Sequence, residues 1–117
     1  MLAEVLFAGV ATAELHGAMR WYEAVLGRPA DITVHDDEVM WRISDGGWLY
    51  LLQDAARAGQ ALVTISVADL DQAVADIAAR GVDVPPIETI PGAGRKAPFT
   101  DPEGNLVALI EVRQAGA

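Results

Sequence analysis

The chain repeats itself. Glu14-Leu15 opens one helix-like stretch and Asp69-Leu70 opens another, an offset of 55 residues. Asp45-Gly46-Gly47 and Glu103-Gly104-Asn105 each precede a strand-like run, and Gly46 and Gly104 are offset by 58. Each half reads β-α-β-β-β, so one unit occurs twice in 117 residues. One helix cannot cover a sheet of four strands alone, so the two units must pack together. The expected class is α+β. Two β-α-β-β-β modules form a curled eight-stranded mixed sheet with helices on its outer face, and the other face surrounds a cavity. The chain 1–117 is then one domain, with module 1 at about 1–54 and module 2 at about 61–113.

Local signals place the elements. Val5 to Thr12 reads as a strand. Leu15, Ala18, Met19, Tyr22, Val25 and Leu26 paint one face of a helix, which Gly27 and Pro29 stop. Strand-like runs follow at Asp31–His35, Val39–Ser44 and Trp48–Gln53, with turn sequences between them. Ala55–Gln60 is a linker. Module 2 offers a strand at Ala61–Val67 and a helix at Asp69–Arg80, with its apolar face at Leu70, Ala73, Val74 and Ile77. Asp69 and Gln72 have the spacing of a helix cap and its reciprocal partner. Asp83–Ile90 reads as a strand broken by Pro85-Pro86. Arg95–Thr100 and Leu106–Val112 complete the second unit.

Composition removes several functions. The net charge of −9 repels a phosphate backbone, which argues against nucleic-acid partners. There is no cysteine, hence no disulfide, thiolate metal site or Cys nucleophile. No apolar run has the length of a membrane span. Met1 to Val10 does not read as a signal peptide, and the expected location is cytoplasmic.

Two stretches carry a family resemblance. Trp21-Tyr22-Glu23-Ala24-Val25-Leu26-Gly27 resembles the aromatic-Tyr-x-x-Val-Leu-Gly helix end of the vicinal oxygen chelate superfamily. Phe99 to Glu111, with Asp101-Pro102-Glu103-Gly104-Asn105, resembles that family's Asp-Pro-x-Gly-Asn turn and last strand. The group contains glyoxalase I, bleomycin-resistance proteins and extradiol dioxygenases. In its metal-dependent members, four strand positions supply His or Glu ligands to one divalent ion. The resemblance puts these positions at Phe7, Tyr50, Leu62 and Ala108. None of the four is an expected ligand, and a divalent ion needs several converging oxygen or nitrogen donors. No cofactor and no metal are therefore expected, and glyoxalase or dioxygenase activity is disfavoured.

Strand alternation suggests what lines the cavity instead. If those four positions face inward, so do Gly9, Ala11, Trp48, Leu52, Thr64, Ser66, Leu106 and Ile110. The ligand-binding candidates are Phe7, Trp41, Arg42, Trp48, Tyr50, Leu62, Thr64, Ala108 and Ile110. Trp41 and Arg42 are adjacent, so only one of them faces in. Arg42 would select an anion; Trp41 would favour a planar or cationic molecule. Arg95 and Lys96 follow a Gly-rich loop at the expected cavity rim, or are simply solvated. His16 and His35 read as solvated, although His35 stands among Asp36, Asp37 and Glu38.

Three functions remain. Resemblance to bleomycin-resistance proteins implies a homodimer that sequesters a small organic molecule, planar or cationic, without metal. The alternative is a metal-independent isomerase or lyase with Tyr50 as acid or base, which requires a shifted phenol pKa. The third is a chain of this fold kept for structure or assembly.

Overall fold

The computed structural model describes residues 1–113. It contains β1 (Leu6–Thr12), α1 (Leu15–Leu26), β2 (Ile32–His35), β3 (Glu38–Ser44) and β4 (Gly47–Gln53), then β5 (Leu62–Ser66), α2 (Leu70–Ala79), β6 (Glu88–Ile90), β7 (Gly94–Thr100) and β8 (Leu106–Val112). The doubled unit is therefore real. Its eight strands are hydrogen-bonded as two sheets of four, ordered β1-β4-β3-β2 and β5-β8-β7-β6. β1 runs parallel to β4 and β5 parallel to β8, while the other neighbours are antiparallel. Both sheets are thus mixed, as the α+β reading requires.

Both helices form for legible reasons. Glu14 caps α1 by accepting from the backbone N–H groups of His16 and Gly17, at 3.2 and 2.6 Å. Gly27 ends it at φ 86°, where its N–H reaches the Glu23 carbonyl at 2.8 Å. Asp69 caps α2 through the Gln72 N–H at 3.0 Å. The reciprocal half of that cap is absent, because the Gln72 amide turns along the helix to Asp76 at 2.8 Å. The strand expected over Asp83–Ile90 shrinks to Glu88–Ile90. Pro85 and Pro86 have no N–H to give a ladder, so pairing begins only after them.

Two clusters form the core. Val10, Leu15, Ala18, Tyr22, Val39, Trp41, Leu49 and Leu51 pack between α1 and the first sheet. Val25, Leu70, Ile77, Ala97, Phe99 and Leu109 do the same under α2. Val107 of β8 belongs to the first cluster, and Trp21, Leu26 and Ile65 touch both. The modules therefore share an apolar seam.

Polar groups bind them as well. Thr12, Asp101 and Asn105 are the buried polar residues among those described, and all three lie at the junction. Asp101 accepts from Tyr22 Oη at 2.7 Å and from Asn105 Nδ2 at 2.9 Å. It also accepts from the N–H groups of Glu103 and Asn105, each at 2.9 Å. Asn105 Nδ2 donates to the Ala11 carbonyl at 3.1 Å, and Asn105 Oδ1 accepts from the Ala61 N–H at 2.9 Å. Glu103 accepts from the Thr12 hydroxyl and from the N–H groups of Ala13 and Glu14, the latter two at 2.6 and 3.3 Å. At the other end of α1, Arg80 donates to the carbonyls of Ala24 and Val25. Module 2 thus supplies an anion at the N-terminus of α1 and a cation at its C-terminus, the signs that suit a helix dipole.

Candidate functional site

Register settles which residues share the face turned away from the helices. In module 1, Phe7 pairs with Trp48, and Trp48 with Arg42. One row along, Gly9 pairs with Tyr50, Tyr50 with Met40, and Met40 with Ile32. In module 2 the rows are Leu62–Leu106–Thr100, Thr64–Ala108–Pro98 and Ser66–Ile110–Lys96. The four positions implied by the family resemblance, Phe7, Tyr50, Leu62 and Ala108, all lie on this open face. The candidates Trp48, Thr64 and Ile110 join them.

The choice between Trp41 and Arg42 is also decided. Trp41 is fully buried on the opposite side, in the α1 core, with its indole N–H donated to the Arg28 carbonyl at 2.9 Å. Its ring packs under α1 and borders the cleft between the modules, and Trp41 is not part of the open face. Arg42 is on that face beside Trp48.

The open face is aromatic on one half and small on the other. The Phe7 and Trp48 rings stack with centroids 6.3 Å apart and planes 26° apart. Tyr50 lies across β1. A Cβ placed on Gly9 would come within 2.4 Å of the Tyr50 ring, so only glycine leaves room for it there. Module 2 offers Thr64, Ser66, Pro98 and the 2 % exposed Ala108. Phe7 is 51 % exposed and Leu62 is 81 % exposed. That leaves apolar surface in water which a folded chain normally covers or uses.

These residues do not fit a divalent ion. Phe, Leu and Ala have no donor atom, and the Tyr50 ring rests on Gly9. Among the described residues, no group of three or more His, Cys, Asp or Glu is placed to hold a metal. His16 is exposed. His35 Nε2 lies 3.5 Å from Glu38 Oε1, while its Nδ1 accepts from the Asp37 N–H at 3.1 Å. The Tyr50 hydroxyl makes no hydrogen bond to the described residues, so no side chain is placed to exchange a proton with it.

A cleft of about 680 Å³ opens beside Trp48 and Arg42, between the modules. Leu6, Ala8, Val63, Ile65 and Val67 give it an apolar lining. Asp31 organises one wall, accepting from Arg28 Nη2 at 2.9 Å and from the Arg42 N–H at 2.7 Å. These two donors hold the Asp31 carboxyl below the usual carboxylate range. The cleft is not legible in the sequence, because its lining comes from five strands and both helices. Arg95 lines a separate cavity of about 740 Å³ with Gly92, Gly94 and Glu111, and there it forks onto Asp71 at 2.9 and 3.1 Å and reaches Glu111 at 3.2 Å. Lys96 is on the open face, with its Nζ 3.9 Å from Glu88.

No helix among the described residues is long and apolar enough to cross a membrane.

No curated protein sequence matches the chain. Solved structures do. A glyoxalase/bleomycin resistance protein from Catenulispora acidiphila DSM 44928 is 34 % identical with a TM-score of 0.89, and the match covers 95 % of this chain and all of that one. TnmS3, an antibiotic binding protein from Streptomyces sp. CB03234, shares the fold at 23 % identity and a TM-score of 0.75, over 96 % of this chain and 98 % of that one. An integron cassette protein from Vibrio cholerae does so at 21 % identity and a TM-score of 0.73, over 95 % and 96 %. A family profile matches residues 4–109, and the chain belongs to the Glyoxalase/Bleomycin resistance protein/Dioxygenase superfamily.

Proposed function

We propose that this protein binds a small organic molecule without a metal, on the open face of its sheets, and that it does so as a homodimer. One observation carries the reading: the stacked pair of exposed Phe7 and half-buried Trp48, with half-buried Tyr50 beside it, next to an apolar cleft. Flat rings at a wet boundary are what recognise planar ligands. The four positions that hold a metal in other members carry Phe, Tyr, Leu and Ala here, which supports sequestration rather than metal chemistry. The description of TnmS3 as antibiotic-binding agrees. Exposed Phe7 and Leu62, together with the edge strands β1 and β5, give a second copy a surface to cover.

The test is fluorescence titration with planar aromatic compounds. Trp21 and Trp41 supply a packed background, and Trp48 supplies the signal. Quenching that saturates in the wild type and disappears in Trp48→Phe supports the reading. A flat response throughout the panel counts against it. Elemental analysis that finds a stoichiometric divalent metal would refute the metal-independent part, and a monomer in solution would refute the dimer.

A further inference from the structure

We infer that the ligand carries a negative charge on an apolar, planar body, with its anionic group held at the mouth of the inter-module cleft by Arg28, Arg42 and Arg80. The inference rests on the binding reading above and names its chemistry. The chain has 8 basic and 17 acidic side chains. Three of the basic ones line this cleft with the acidic Asp76, while Asp31 and Asp45 pair with Arg28 and Arg42 and leave Arg80 with no carboxylate partner among the described residues. The chain's excess of acids over bases is therefore absent at this site.

Two of the three guanidinium groups are held in place. Arg28 Nη2 donates to Asp31 and to the Arg42 carbonyl. Arg80 uses Nε and Nη2 on the carbonyls of Ala24 and Val25, and its guanidinium lies over Gly27, 3.5 Å from where a Cβ would stand. Nη1 of both arginines makes no hydrogen bond to the described residues. Arg42 is paired only with Asp45, at 3.0 Å, and that side chain is fully solvated. An exposed pair of this kind is weak and easily exchanged for a ligand carboxylate. The acidic face residue of module 1, Glu38, pairs with Leu52, four residues along β3 from Arg42. At about 3.3 Å per residue it is roughly 13 Å away. A cationic ligand stacked on Trp48 would meet Arg42, and near it only the solvated Asp45 and an Asp31 already occupied by two donors. Guanidinium groups near a flat apolar surface suit a carboxylate on an aromatic frame.

Three probes of one shape separate the outcomes: 2-naphthoate, 2-naphthol and 2-naphthylmethylammonium, titrated calorimetrically into the intact protein at low and high salt. The expected order is naphthoate tightest, by about tenfold over the ammonium ion, with the gap narrowing as salt screens it. Arg42→Gln, at a half-exposed position outside the core, should weaken naphthoate about three- to fivefold more than it weakens naphthol. Equal binding of all three, or preference for the ammonium ion, overturns the charge assignment while leaving the binding function standing. Loss of naphthol binding in Arg42→Gln equal to the loss of naphthoate binding also overturns it. Failure of all three to bind overturns the binding reading and this inference with it.

Discussion

Tyr22 on α1 donates its phenolic hydrogen to Asp101 at 2.7 Å, across 79 residues of sequence and across the junction between the modules. Burial, and then the nearby Asp101 carboxylate, push the Tyr22 phenol far above its ordinary range, so it stays a donor at every pH the fold survives. The two motifs that mark the family in this sequence, one around Tyr22 and one beginning at Asp101, therefore meet in a single buried contact.

That contact has a measurable consequence. Tyr22→Phe keeps the ring and removes the donor, and it should cost about 1.5–3 kcal/mol, the range for a hydrogen bond to a charged group. Asp101→Ala should cost more, because it leaves Tyr22 Oη, Asn105 Nδ2 and two backbone N–H groups without their acceptor. Urea unfolding of the two variants beside wild type measures both. Equal midpoints for wild type and Asp101→Ala would remove the network from the account of stability.

Gly9→Ala tests the shape of the open face. The new Cβ would stand 2.4 Å from the Tyr50 ring. Tyr50 is only half-buried, so the ring can swing away rather than unfold the sheet. The expected result is a melting temperature within a few degrees of wild type and weaker binding of planar ligands by about tenfold, roughly 1.4 kcal/mol. Unchanged binding would mean that the Tyr50 ring takes no part in the site.

The clamp on α1 predicts a dependence on charge. Arg80→Met preserves length and removes the cation at the C-terminus of the helix. It should cost about 1 kcal/mol in dilute buffer and less in molar salt, where the helix dipole is screened. Denaturation at two ionic strengths measures the difference. A cost that does not change with salt would point to packing over Gly27 alone.

Acid should loosen the anchor of α2. Glu111 accepts from the Leu70 N–H at 2.8 Å, and that bond, with Arg95, holds its carboxyl low. Asp71 is held low by its hydrogen bonds from Arg95. A carboxyl with a lowered pKa in the fold stabilises the protein above its unfolded value, and that contribution is lost as pH falls through the folded one. Unfolding midpoints should therefore hold steady above about pH 5 and drop below about pH 4. Asp71→Asn should make the acid limb shallower. An identical limb in the variant would exclude Asp71 from it.

Much of this was legible in the sequence, and the illegible part has physical causes. The helix stop at Gly27, turn residues before Gly47 and Leu106, and the offset of 55 depend on neighbours in the chain. All of these were readable. The choice between Trp41 and Arg42 was not. Strand alternation has two phases, and only the packing of Trp41 under α1 selects one. Asp101 reads as a turn residue because three of its donors are local; the fourth comes from Tyr22 and is invisible without the fold. Gly9 looks like an unremarkable small residue until Tyr50 is laid over it. The cation cluster escaped notice because Arg28, Arg42 and Arg80 are scattered among an excess of acids and are gathered only when the helix ends meet.

The helix α1 starts on Glu14 and Gln53 of its own half but is held in addition at both ends from module 2, by Glu103 and by Arg80, whereas α2 is capped by Asp69 and Glu111 of its own half. The repeat is thus symmetric in outline and unequal in dependence. A cut within the linker 55–60 would produce fragments of different fate. The second would keep every group that starts its helix, and the first would keep Glu14 and Gln53 but lose a supporting contact at each end of its own. Two copies of the first half could not replace the missing second, since neither carries that carboxylate or that guanidinium. What looks in the sequence like a tandem of twins is, in three dimensions, a host and its guest.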